Sequence, residues 1–441
     1  MSPQRFLRLV SGAMAALGIS AAAIVALNLR GEDPLPSAEA LKPTPALVAQ
    51  GEYLTRVGNC MACHTVQGGA PFAGGRGIET PFGVVYSSNL TPDKATGLGA
   101  WTSAEFWRAM HNGRGKDGRL LYPAFPYTSY THVTREDSDA IFAYLQSLPP
   151  VAQANKAHAL RFPYSTQAAL GVWRALFFTP ADVAQPAPPA PQALATAQVP
   201  DYQRGAYLVN GLGHCAACHT PRNSLGAEQQ GQALAGGLIP VQNWLAPALT
   251  DAGQAGVQRW PQADVVALLK TGVAPQASVI GPMAEVVFRS TQYLSDADAR
   301  AMAVYLQALP QHAATPAKQA VAPASVMERG AKVYEAQCAQ CHGAQGQGAK
   351  DEAGQPAFPP LAGNRAVVLA DPTNLVRVVL QGGYLPATAG NPRPHGMPPF
   401  QHLLGDEDVA AVATFVRNSW GNQAAGVGTI EVYRARERRS P

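Results

Sequence analysis

All six cysteines of the chain fall in three copies of one pattern, C-x-x-C-H: Cys60, Cys63 and His64; Cys215, Cys218 and His219; Cys338, Cys341 and His342. Two thiols one helical turn apart can form thioethers to two vinyl groups on one porphyrin edge. The imidazole that follows then stands under the iron as an axial ligand. A zinc site needs ligand pairs, and a redox disulfide does not require a histidine directly after its second cysteine, let alone three times. The spacing therefore reads as three covalently bound haem c groups, attached through Cys60, Cys63, Cys215, Cys218, Cys338 and Cys341, with His64, His219 and His342 on the irons.

An electron-transfer haem needs a sixth ligand, most often a methionine thioether from a loop well downstream of the attachment motif. In the third repeat the sequence PHGMPPF offers Met397, held by prolines. In the second, IGPMAEVV offers Met283, while Met302 reads as core on the apolar face of a helix. The first repeat departs from this. Its matching loop is LLYPAFPYTSY, with Phe125 where a methionine is expected, and phenylalanine cannot bind iron. Met110, His111 and His132 are the nearby donors, and a five-coordinate iron is the alternative. No role is assigned to His158, His214, His312, His395 or His402.

Three repeated elements must position these residues. A helix with an early glycine precedes each motif, as in GEYLTRVGNCMACHT and GAYLVNGLGHCAACHT, with a looser copy in GAKVYEAQCAQCHG. A middle helix follows from Trp101, Trp260 and Asn374, ended by Gly113, Gly272 and Gly382. A closing helix at 134–149, 295–310 and 405–420 has acidic residues in its first turn and apolar i, i+3, i+4 spacing. Tyr144, Tyr305 and Phe415 match in position and are expected to face the preceding helix. These patterns predict an all-α body of three haem domains at 36–178, 201–309 and 326–421. Pro/Ala-rich linkers are expected at 179–200 and 310–325, and a solvated or docking tail at 422–441.

The first 35 residues read as a hydrophobic leader. Arg5 and Arg8 precede an uncharged run from Leu9 to Leu29, about the ~20 residues that cross a bilayer as a helix. An uncleaved signal-anchor is favoured over a cleaved signal peptide, and the basic flank places the body outside the cytoplasm. The net charge of +4 over 441 residues is spread thinly and argues against a nucleic-acid partner.

From about residue 45 to 421 the chain resembles the three-haem cytochrome c subunits of membrane-bound bacterial dehydrogenases that oxidise alcohols, gluconate, sorbitol, aldehydes or N-heterocycles. The resemblance is carried by ETPFGVVYSSNLTPDKATGLGAWTSAEFW, LLKTGVAPQASVIGPMAEVV and the three attachment motifs. It implies three tandem cytochrome c-like domains, with iron ligands at Met283 and Met397 beside the histidines. It also implies a catalytic dehydrogenase partner of molybdenum-pterin, pyrroloquinoline quinone or flavin type, and ubiquinone or a terminal oxidase as acceptor, at the periplasmic face of the inner membrane. Alcohol-oxidising relatives tend to carry YPAMPY. The YPAFPY form is similar to cytochromes paired with molybdenum-pterin aldehyde or isoquinoline-type oxidoreductases. The chain thus reads as an electron-transfer subunit, not the catalytic one. The rival readings are a haem enzyme using an open iron in the first domain, with one high-spin haem in three, and a free electron shuttle.

Overall fold

The computed structural model describes residues 3–32, 41–182, 188–311, 322–350, 354 and 356–437. The expected linkers fall partly on 183–187 and 312–321, outside the described residues. The chain forms two compact units. One is Met1–Thr55 with Cys60–Pro186 and Ser224–Ala227; the other is Arg56–Asn59 with Ala187–Asn223 and Glu228–Pro441. The second and third haem motifs thus share one unit.

The first unit contains α1 (Pro3–Leu29), α2 (Pro45–Val57), α3 (Cys60–His64), α4 (Ser103–Asn112), α5 (Tyr127–Tyr130), α6 (Arg135–Ser147) and α7 (Gln167–Phe177). Thr102 starts α4 with a capping box to Glu105, and Gly113, the expected stop, ends it in the left-handed region. Thr134 caps α6 by accepting from the Asp137 amide.

The second unit contains α8 (Val199–Asn210), α9 (Ala216–His219), α10 (Gln262–Thr271), α11 (Pro282–Arg289) and α12 (Asp296–Gln307). They are followed by α13 (Ala324–Gln337), α14 (Ala339–His342), α15 (Arg365–Val368), α16 (Thr373–Gln381), α17 (Asp406–Arg417) and α18 (Thr429–Glu437). Met302 is buried on α12, as core. Of the two expectations for the tail, its described residues follow docking: α18 packs on α16 and α17, buries Val432 and Ala435 in their apolar cluster, and ties Arg436 to Asp406 at 2.8 Å.

Each motif is preceded by a helix that crosses a closing helix at a glycine. A Cβ on Gly51 would lie 2.8 Å from the Cβ of Tyr144, one on Gly205 2.8 Å from that of Tyr305, and one on Gly330 2.6 Å from that of Phe415. The backbones touch because nothing larger than hydrogen stands between them. The matching aromatics do face the preceding helix.

Helices dominate, but the all-α expectation is too simple. The first unit has a three-stranded antiparallel sheet (Gly77–Thr80, Gly83–Tyr86, Ala159–Leu160), and the second has several two-stranded ones. These strands are two to four residues long. Segments this short are closed by tertiary packing and carry no period-2 signal.

Candidate haem-attachment sites

Each attachment motif folds as one helical turn. The His219 amide donates to the Cys215 carbonyl at 2.9 Å, and the His342 amide to the Cys338 carbonyl at 3.0 Å; the first motif is α3 itself. The turn brings both sulfurs of a pair to one side and leaves the histidine at its end. All six thiols are free of disulfides. Burial, helped by the neighbouring cysteine, pushes the Cys60 and Cys215 thiols up to about 12 and Cys338 up to about 11. The leading sulfur of each pair is therefore held neutral, the charge state that a thioether also has.

The three histidines are locked in the same way twice over. The Nδ1 of His64 lies 2.7 Å from the Ser88 carbonyl, that of His219 2.7 Å from the Pro247 carbonyl, and that of His342 3.0 Å from the Pro359 carbonyl. A carbonyl only accepts, so Nδ1 carries the proton and Nε2 presents its lone pair, the tautomer an iron ligand requires. Burial lowers the basicity of all three rings, which keeps them neutral. The second lock is on the backbone. The histidine carbonyls accept from the amides of Gly74, Gly236 and Gly348 at 2.8, 2.7 and 2.8 Å. These glycines have φ of 75°, 80° and 71°, and each presses on the segment that supplies the Nδ1 acceptor. Sequence reasoning missed these glycines and carbonyls, because the loops between motif and lock differ in length.

The structure brings Cys338, His342 and Met397 to the wall of one cavity, which is otherwise lined mainly by apolar side chains such as Leu361, Val367, Leu375 and Val412. Thiol, imidazole and thioether in an apolar slot fit a porphyrin. Met397 lies in a short strand paired with Gly383, not in a free loop. Ser278 and Ile280, from the stretch leading to Met283, line the same cavity. That stretch is joined to the third motif's region by Asn364, whose amide donates to Ser278 Oγ at 3.0 Å, and by the Arg365 amide to the Gln276 carbonyl at 2.8 Å. Met283 itself sits in the first turn of α11, half-buried, rather than in a loop.

In the first unit Phe125 is packed between Tyr127 and Tyr130, with ring centroids 6.5 and 5.4 Å away. Tyr130 is buried beside Cys60 and Cys63, and burial and these sulfurs raise its hydroxyl well above its ordinary range. It belongs to the first site, though nothing in the sequence singled it out. Met110 and His111 are both buried at the end of α4. The His111 Nδ1 is 2.8 Å from the Thr131 carbonyl, and its ring stacks on Trp107 at 4.6 Å. His132 is half-buried next to that carbonyl's residue.

The cytochrome c family model matches residues 48–149, 202–310 and 327–420. The chain belongs to the cytochrome c family. Its haem is therefore haem c, covalently bound. This cytochrome is 39% identical over 422 residues to the cytochrome c subunit of the quinone alcohol dehydrogenase of Gluconacetobacter polyoxogenes, covering 91% of this chain and 87% of that one. It is 39% identical over 401 residues to the gluconate 2-dehydrogenase cytochrome c subunit of Pantoea cypripedii, covering 88% of each. The fructose dehydrogenase cytochrome subunit of Gluconobacter japonicus is 35% identical over 431 residues, covering 90% of this chain and 85% of that one.

Proposed function

We propose that this cytochrome is the electron-relay subunit of a dehydrogenase complex. It would take electrons from a catalytic partner and pass them through three haems to ubiquinone or a terminal oxidase. The reading rests above all on one repeated observation: three C-x-x-C-H turns, each with its imidazole held through Nδ1 by a backbone carbonyl. Haem, when bound, supplies a one-electron iron couple. The chain's part is to hold and tune it.

In this reading Cys60 and Cys63, Cys215 and Cys218, and Cys338 and Cys341 form the thioethers. His64, His219 and His342 bind the irons, and Met283 and Met397 complete the second and third. The domains run 36–178, 201–309 and 326–421. The relatives named above as subunits of alcohol, gluconate and fructose dehydrogenases support a dehydrogenase partner, of pyrroloquinoline quinone, molybdenum-pterin or flavin type.

The helix α1 is read as an uncleaved anchor, with the body on the periplasmic face. Among the described residues it is the one helix long and apolar enough to cross a membrane, and none of it is buried. Its exit is fastened into the first unit. Asn28 donates to the Gly171 carbonyl at 2.9 Å, Asn112 donates to the Gly31 carbonyl at 3.0 Å, and Arg114 pairs with Glu32 at 2.8 Å. These bonds support the reading of α1 as a retained segment.

The test is mild-detergent purification of a tagged copy from native membranes, with haem counted as the pyridine haemochrome. Three haems per chain and a co-purifying dehydrogenase are expected, and the cofactor of that dehydrogenase names the substrate class. Recovery of the cytochrome alone would overturn the relay-subunit reading in favour of a shuttle or a self-contained haem protein.

A further inference from the structure

We infer that α7 and the loop before it form a second membrane contact: a helix lying in the outer headgroup layer beside α1. The inference rests on α1 being retained as an anchor and adds a surface to it.

Depth is set by α1. About 20 helical residues cross the hydrocarbon core, and counted from Leu9, after Arg5 and Arg8, they end at Asn28. Asn28 is where α7 is attached. Its side-chain amide donates to the Gly171 carbonyl at 2.9 Å, and Arg174 donates to its side-chain oxygen at 3.0 Å. A Cβ on Gly171 would lie 3.9 Å from both Ile24 and Asn28, so the two helices pack closely at the level where the bilayer core ends.

The outer face of α7 suits that position and not water. Ala168, Val172 and Leu176 follow at i, i+4 and i+8, and all three are exposed; Leu176 is 61% accessible. A surface helix in water carries polar residues on such a stripe. The sequence of α7, QAALGVWRALF, has no acidic residue, and its one charge, Arg174, is turned inward and buried. The preceding loop adds Phe162, 84% exposed, and Tyr164, with Arg161 beside them. Exposed apolar rings, an aromatic with a polar tip and a flanking cation are what the headgroup boundary accommodates. Because α7 is fastened to α1 through Gly171 and Arg174, the occupant assigned to this patch is the lipid surface.

The experiment uses the full-length, haem-loaded chain in vesicles of phosphatidylethanolamine and phosphatidylglycerol. A few per cent of a phosphatidylcholine with a photoactivatable acyl chain is added, and labelled peptides are mapped by mass spectrometry. Label is expected on α1 and on residues 162–177. The pair Val172→Glu and Leu176→Glu should cut labelling of that segment several-fold while α1 stays labelled. Label on α1 with none on 162–177 would overturn this inference alone. Label on neither would overturn the anchor as well.

Discussion

At each attachment site the histidine is held by two backbone groups, a carbonyl on its ring Nδ1 and a glycine amide on its own carbonyl, and that glycine tolerates no side chain. Gly236 has φ 80°, and a Cβ there would meet the Ala248 amide nitrogen at 2.7 Å. Gly236→Ala should cost about 1–3 kcal/mol from left-handed strain and overpacking, read as a lower midpoint in denaturant for the second unit. An unchanged midpoint would mean that the lock contributes nothing. If Met397 binds iron as proposed, its replacement by histidine should lower one of the reduction potentials of the proposed three-haem relay by on the order of 0.1 V, well inside the ~0.8 V that axial ligands span. A potentiometric titration with all three couples in place would remove Met397 from the ligand set.

The helix crossings rest on residues that do no chemistry. Gly205 meets Tyr305 and the Ala301 backbone, just as Gly51 meets Tyr144 and Gly330 meets Phe415. Gly205→Val would push α8 off α12, and a loss of about 1–3 kcal/mol or more is expected. The change adds a β-branched side chain where a backbone carbonyl already sits. Chemical denaturation of the haem-loaded protein measures it, and a variant as stable as the parent would refute the close crossing. The helices were legible in the sequence because their signals are local: acidic first turns, apolar i, i+3, i+4 spacing, and Gly113, Gly272 and Gly382 as stops. The placement of Met283 in α11 and of Met397 in a paired strand was not. Two to eight residues of structure around a proline leave no periodic trace.

Across the whole molecule, the second and third motifs share a compact unit, and Ser278 and Ile280 complete the cavity of Cys338, His342 and Met397. In the proposed three-haem relay, reduction of the haem at the third motif should therefore respond to a charge placed upstream of Met283. Ile280→Asp puts a carboxylate at that wall. By stabilising the ferric state it should lower the third couple by tens of millivolts, as expected of a charge in a poorly solvated site. If no couple moved on redox titration, the shared wall would have no electrostatic role.

The sequence alone determined the cofactor chemistry, since C-x-x-C-H is a contiguous motif whose geometry one helical turn guarantees. It also determined the threefold repeat and the membrane-length helix, which are patterns of spacing along one chain. What only the tertiary structure decided are contacts between residues far apart in sequence. These are the Ser88, Pro247 and Pro359 carbonyls on the histidines, Tyr130 beside Cys60 and Cys63, the wall lent by Ile280, and the docking of α18 on its own domain. Loops of different length reach the same lock in each repeat, so no fixed spacing could announce it. The energy of closing those loops comes from burial, which a linear pattern does not display.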